Sequence, residues 1–457
     1  MTTPLSSISS TEKSRINITQ LGLFLCGQLG LMLLVRYFLQ WIIKFSTLEI
    51  DGVILFSAST VGLLLLSFRI FDGVTDPIAG ILSDLWVQRG HERRTLLWYT
   101  APLPAMGLCL CFLPSAEMSE GIRWILIGVG MLIFFTGYTA YALPYWSLTG
   151  DYSTVDKSAS GALSNCLGIG LLLATGVGFV ISPFIVEWLN YFGGALLFSV
   201  LSLPLMIAPY FAAPKSPIPP DIQGDTQEDG SSLATIDSSR ISGKDQFYRA
   251  LKHKKFRAVL CLFAGSQMSF TMMTAAAPFI AEDLLGGSTR DVAALLGPLL
   301  LTAALASAVV PKISRSIGWL TTLRWSCILL GGVYVVASGL GSTMIHASLL
   351  TAGLIFAAGG PMVAALLGLE GEAVNDCCSE SGGESVGVFF GVYNLVVKGF
   401  NGLAIFLVSV LAEWATIYPK GSADRLFAVR FMTMGAGILL LFGVISYFLL
   451  RPRVTSS

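Results

Sequence analysis

Residues 54–86 read ILFSASTVGLLLLSFRIFDGVTDPIAGILSDLW. The run exceeds the roughly 20 apolar residues that a bilayer crossing needs. It nevertheless carries Arg69, Asp72 and Asp76 in its interior. Working outward from it, about twelve runs meet the same length criterion, near 19–45, 54–86, 95–114, 122–148, 160–187, 190–212, 256–285, 291–312, 318–341, 344–370, 384–412 and 426–450. Backbone groups in lipid must be satisfied within their own segment, so such runs are helices. The alternating ten-residue rhythm of an outer-membrane barrel is absent. The expected fold is an all-α polytopic membrane protein with about 12 transmembrane helices.

Composition agrees. The 457 residues are 54% hydrophobic and only 12% charged, too few charges to cover a soluble surface. The mean hydropathy is +0.73. Formal net charge is zero, which gives no case for nucleic acid. The three histidines (His91, His253, His346) fall near loops or span ends, and no nucleophile–base pattern points to an enzyme. Six of the eight cysteines lie in apolar stretches; Cys377 and Cys378 do not. No metal-ligand spacing occurs among them. The N-terminal tail is polar to about Thr19, so no cleavable signal peptide is expected and the first helix serves as the targeting signal.

Residues 214–246 change character, running PKSPIPP and then Gly, Asp and Ser, which is linker composition. Basic residues follow at 248–257, read as a juxtamembrane helix. The chain therefore divides into a tail (1–18), a six-helix half (19–212), a central linker (213–255), a second six-helix half (256–450) and a tail (451–457). Lys13, Arg15, Arg89, Arg93, Arg94, the basic linker, Lys312, Arg315, Arg451 and Arg453 all fall on one side. By the positive-inside rule both termini face the cytoplasm, in the cell (inner) membrane. The acidic residues of 370–384 (Glu370, Glu372, Asp376, Glu380, Glu384) are expected in a loop on that side.

Two six-span halves joined by a linker match the repeat logic of the major facilitator architecture. Gly80 to Asp84, followed by Arg89 to Arg94, resembles that superfamily's cytoplasmic loop motif. The resemblance makes Asp84, Arg89, Arg93 and Arg94 a candidate cytoplasmic gate.

Ionisable groups deep in a span cost on the order of several kcal/mol unless paired or hydrated, and mark functional positions. Arg69, Asp72 and Asp76 share one helix face at about 100° per residue. Two acids against one arginine favour a bound proton or metal cation, to which Thr75 adds a hard oxygen. A static ion-pair cluster is the plainer alternative. Lys398 lies about a dozen residues from either end of its span and needs an anion, with Asp72 or Asp76 available from the other half. Two placements are open for Arg36, next to Gln40 and Trp41: a hydrated cavity, holding an anionic or polyhydroxyl substrate, or the outer interface.

The string Arg69-Ile-Phe-Asp72-Gly-Val-Thr-Asp76-Pro77 resembles the glycoside–pentoside–hexuronide cation symporters, in their melibiose-permease-like branch. Thr139-Ala-Tyr-Ala-Leu-Pro144-Tyr-Trp146 and Val396-Val-Lys398-Gly extend the resemblance. It implies that Asp72 and Asp76 take part in sodium, lithium or proton coupling, that Thr139 lines the cation site, that Lys398 stands near it and that Trp146 stacks on a sugar. Other positions depart from the pattern. Ala142 and Leu29 stand where the family has carboxylates, span 5 lacks an arginine, and Glu372 and Asn375 stand near a pair of aspartates. The cation half of the mechanism is kept and the galactoside half is not. Thr75 and Pro144-Tyr145 are also similar to sodium-dependent lysophospholipid symporters.

The expected function is cation-coupled symport of a small solute (a sugar, glycoside or sugar acid) by alternating access. Alternatives are a lysophospholipid-type transporter or a non-transporting membrane sensor. The candidate substrate residues are Arg36, Trp146, Tyr145, Asn394 and Asn401. A monomer without cofactors, partnered only by its substrate, the lipid bilayer and transported Na+ or H+, completes the expectation.

Overall fold

The computed structural model describes residues 16–50, 53–156, 159–215, 251–380 and 386–451. The tail calls at 1–15 and 452–457, most of the linker and Glu384 lie outside them. Helix α1 (Ile18–Ser46) begins in a capping box, Asn17 accepting from the Thr19 amide and Gln20 reaching back to the Asn17 amide. A short hairpin, β1 (Glu49–Ile50) and β2 (Val53–Ile54), leads to α2 (Ala58–Gln88), capped by Ser57. Helices α3 (Arg93–Thr100) and α4 (Pro102–Phe112) together make one span, and α5 (Glu120–Val155) returns.

Next come α6 (Ala159–Gly176), a π turn at Val177–Ile181 and α7 (Ser182–Ala212). The apolar helical stretch Gly161–Ala212 has 52 residues. At 1.5 Å per residue that would be about 78 Å, far beyond a hydrocarbon core of about 30 Å. It breaks at Asn190, where φ is 58°. The Asn190 Oδ1 accepts from the Gly193 amide at 2.9 Å just beyond the break. Eleven apolar stretches long enough to span occur among the described residues, and this one counts twice, giving twelve spans.

The second half contains α8 (Lys254–Phe279) with a π turn at Ile280–Leu284, then α9 (Val292–Ser307), the short α10 (Val310–Ile317), α11 (Trp319–Ser338) and α12 (Leu349–Gly368). It ends with α13 (Glu370–Glu380), α14 (Val386–Ile417) and α15 (Ala423–Leu450). Of the basic segment expected as a juxtamembrane helix, 248–250 lie outside the described residues, Leu251 and Lys252 are helical, and His253 then caps α8, whose first turn holds Lys254, Lys255 and Arg257.

The acidic segment expected as a loop is also corrected: 370–380 is helical, separated from α12 by Leu369 alone. Two of its acids engage α8. Glu370 accepts from the Gln267 amide, and Asp376 pairs with Lys255 at 2.9 Å. Gln267 lies twelve residues beyond Lys255, about 18 Å along the helix, so Glu370 sits well inside the bundle. Cys377 and Cys378 are buried.

Aromatic side chains fill the first half; Phe38 stacks on Phe134 at 4.6 Å and meets Phe135 edge-on at 5.6 Å. The two halves meet along α2 and α14, where small residues let the backbones approach, as lipid-embedded helices require. A Cβ at Gly62 would strike Ser409, and one at Gly402 would press on Leu66 and Arg69. Gly73 rests on Leu395. Gly80 lies two turns further on the same face, and a Cβ there would meet nothing. The seam is therefore closed from Gly62 to Gly73 and parts towards the arginine-bearing end.

Overpacking a tight contact costs about 1–3 kcal/mol. Gly62→Val should lower the unfolding temperature of the detergent-purified protein measurably, whereas Gly80→Val should leave it within error of wild type.

Candidate cation and substrate site

The α2 face brings Arg69, Asp72 and Asp76 to the seam, and α5 and α14 supply the rest. Lys398 Nζ lies 2.9 Å from Asp72 Oδ2 and 2.6 Å from Asp76 Oδ2. The Thr139 hydroxyl donates to Asp72 and stands 3.4 Å from Asp76 Oδ1. Arg69 reaches Asp72 at 3.7 Å while its guanidinium lies over the Phe135 ring. Asp72 is fully buried, and the Asp76 and Lys398 side chains keep only 18% and 14% exposure. Lys398 and Arg69 thus set two cations against the two carboxylates. The Tyr138 ring lies 5.5 Å from the Lys398 ammonium.

Thr75 is placed differently. Its hydroxyl donates to the Asp72 backbone carbonyl at 3.2 Å, as helical threonines often do. The oxygen set facing Lys398 is therefore Asp72, Asp76 and Thr139.

The candidate substrate residues separate into two groups. Trp146 borders the cluster, its Nε1 donating to Gln28 Oε1 at 3.0 Å and its ring edge-on to Tyr138. Asn401, one turn beyond Lys398, accepts from Thr271 at 3.0 Å. Asn394 lies one turn the other way and is exposed. Arg36 lies ten residues before the end of α1, about 15 Å from it, too deep to snorkel. Its guanidinium lies over the Phe179 ring, inside the bundle rather than at the outer interface. Tyr145 is corrected out of this group: it is fully buried, stacks on Phe24 and donates its hydroxyl to the Phe24 carbonyl. It packs α5 on α1.

At the seam's open end Arg93 pairs with Asp84 at 2.9 Å and with Asp151 of α5 at 3.4 Å. Arg94 binds Glu92 at 2.6 Å and the Ala213 carbonyl at 3.0 Å. That hydrogen bond holds the Glu92 carboxyl below its usual range. Arg89 is exposed at the C-cap of α2. At the closed end Glu413 of α14 accepts from Ser57 and from the Ser59 amide at 2.6 Å, and Lys44 pairs with Glu282 at 2.7 Å. Both contacts join the halves.

Sequence reading missed Tyr138, Asp151, Gln28 and Glu413. Tyr138 and Gln28 are ordinary residues for an apolar span; only packing aims them at the cluster. Asp151 and Glu413 were legible as acids near span ends, but their partners are far away in sequence.

The family model for MFS/sugar transport proteins matches residues 23–451. The chain belongs to that family. Solved structures share its fold at low identity. The nucleoside transporter NupG is 12% identical with a TM-score of 0.60, covering 94% of this chain and 99% of its own. A bacterial homologue of the human lysosomal transporter Spinster is 14% identical with a TM-score of 0.64, covering 95% of each chain. Tetrameric PepTSo2 is 14% identical with a TM-score of 0.61, covering 94% and 97%. No curated protein matches the sequence significantly.

Removing one member of a buried ion cluster strands the others, at about 3–5 kcal/mol. Lys398→Ala should therefore unfold at a markedly lower temperature than wild type. The double variant Lys398→Ala/Asp76→Asn should recover part of the loss, because one stranded charge is gone.

Proposed function

We propose that this protein is a cation-coupled symporter of a small hydroxylated solute (a sugar, glycoside or sugar acid), with Na+ as the coupling ion, in the cell membrane. The arginine-bearing end faces the cytoplasm, as the positive-inside rule requires. The observation that carries the reading is the position of Lys398, between Asp72 and Asp76 and 2.9 and 2.6 Å from them. A lysine ammonium there occupies the space that a monovalent cation would take among the same carboxylate oxygens and the Thr139 hydroxyl.

The two occupants exclude each other, and they differ in what they join. Lys398 belongs to the second half and the carboxylates to the first, so the lysine ties the halves together. A sodium ion held by Asp72, Asp76 and Thr139 is bound by the first half alone and releases Lys398. Cation binding thereby changes the free energy of the contact between halves, which is what linkage between an ion and a conformational equilibrium requires. The seam, closed at one end and parted at the other, corresponds to a state open to the cytoplasm. Rocking about α2 and α14 exchanges the open end, with substrate held beside the cluster. Arg93, bridging Asp84 to Asp151, keeps the ends of α2 and α5 moving together.

Proteoliposomes offered a mixture of sugars, glycosides and sugar acids test this, with uptake read by mass spectrometry. Wild-type protein should accumulate a solute only under an imposed Na+ gradient, and Asp76→Asn should abolish the accumulation. Gradient-driven uptake by both Asp72→Asn and Asp76→Asn at the wild-type level would contradict the assignment. Uptake that follows an imposed proton gradient instead would replace Na+ by H+ at the same carboxylates.

A further inference from the structure

At the closed end of the seam a cavity of about 410 Å³ lies between the halves. Small-molecule sites in proteins usually have about 300–1,000 Å³. The first half supplies Leu55 and Phe56, just past the β1–β2 hairpin, and Glu120, Arg123 and Trp124 from the first turns of α5. Glu413 and Thr416 of α14 close the cavity from the second half.

Arg123 is only 8% exposed. Its Nη1 donates to the Leu55 carbonyl at 3.2 Å, but Nε and Nη2 make no hydrogen bond among the described residues. Nor does any carboxylate neutralise it there. Buried polar atoms in folded proteins are almost always satisfied, and a bare guanidinium edge on a cavity wall is a place that a ligand completes. Glu413 is not available to it. Both Glu413 oxygens accept from Ser57, at 3.1 and 3.0 Å, and Oε2 also accepts from the Ser59 amide. Its charge is thus spent on the N-terminus of α2. Glu120 is different. It lies one turn before Arg123 on the same face of α5, is exposed, and has no ion pair or hydrogen bond among the described residues. One wall of the cavity therefore presents a cation and an anion that are bound neither to each other nor to the protein. Phe56 and Trp124, edge-on with centroids 5.0 Å apart, add an apolar surface beside them.

We propose that this cavity binds an apolar α-amino acid as its zwitterion, with the carboxylate on the Nε–Nη2 edge of Arg123, the ammonium on Glu120 and the side chain against Phe56 and Trp124. A guanidinium edge meets a carboxylate through two parallel N–H donors. Charge selects the class. A simple anion at Arg123 would face Glu120, and a simple cation at Glu120 would face Arg123. A zwitterion meets both groups and adds no net charge. The site is separate from the ion cluster and stands whichever solute and ion the protein moves. Its walls come from both halves, so it is complete only while this end is closed. A bound amino acid therefore favours the closed state, as any ligand does that prefers one of two conformations. In the orientation proposed above, it acts from outside the cell as an effector rather than as cargo.

The test is thermal unfolding of the purified full-length protein, titrated with three matched probes. L-Leucine carries both charges, 4-methylpentanoate only the carboxylate and 3-methylbutylamine only the ammonium. Wild type should be stabilised saturably by L-leucine and by neither analogue at the same concentration. Arg123→Gln should weaken the apparent leucine affinity about tenfold or more. Arg123 also holds the Leu55 carbonyl, so two further variants keep the test open if that one fails to fold. Glu120→Gln removes an exposed carboxylate that holds nothing else and should weaken leucine binding as well. Thr416→Trp fills the cavity from the second half and should abolish it. No stabilisation of wild type by L-leucine overturns the site. Equal stabilisation by either analogue overturns the zwitterion, and with it the proposal. A leucine response unchanged in both Glu120→Gln and Thr416→Trp would put the amino acid elsewhere and contradict it too.

Discussion

The arrangement depends on one contact: the Lys398 ammonium shared between Asp72 and Asp76 across the two halves. Four charges buried at the level of the seam would be prohibitive singly. Together they cancel, and the surrounding helices must hold them in register for the cancellation to work. The close approach at Gly62, Gly73 and Gly402 supplies that register. Thr139 adds the hydrogen bond that fixes Asp72, and Tyr138 presents its ring to the lysine.

The same pair of helices explains the asymmetry between the two ends. At one end Glu413 seals α14 onto the N-terminus of α2, where a carboxylate meets unsatisfied N–H groups and the positive end of the helix dipole. Lys44 and Glu282 add a second link between halves at that end. At the other end the charged groups of α2 pair within their own half, Arg93 with Asp84 and Asp151. Contacts that must break for one end to open therefore lie between halves, and contacts that must survive lie within them. The ion cluster sits between the two sets, so under the proposed mechanism a change in its occupancy acts on the seam.

Much of this was legible in the sequence, because the rules that govern it are local. Apolar run length fixes the spans, and helical spacing places Arg69, Asp72 and Asp76 on one face. The cost of a lysine deep in a span predicts that Lys398 seeks those acids. What was not legible depends on distant partners. The segment from Glu370 reads as a solvated acidic loop until Gln267 and Lys255 are seen to engage it. Tyr145 reads as a pocket aromatic beside Trp146, but neighbouring residues point about 100° apart on a helix, and only Trp146 turns towards the cluster. Thr75 has the right chemistry for a cation ligand and spends it on its own helix.

The most direct measurement of the central claim is the Na+ affinity of purified wild type and of Lys398→Ala, read from sodium-dependent change in tryptophan fluorescence, with Trp146 beside the cluster. If Lys398 competes with the cation for Asp72 and Asp76, removing it should tighten Na+ binding by about tenfold or more, equivalent to about 1.4 kcal/mol. An affinity unchanged or weakened in Lys398→Ala would contradict the competition, and with it the account of how ion binding is linked to the movement of the halves.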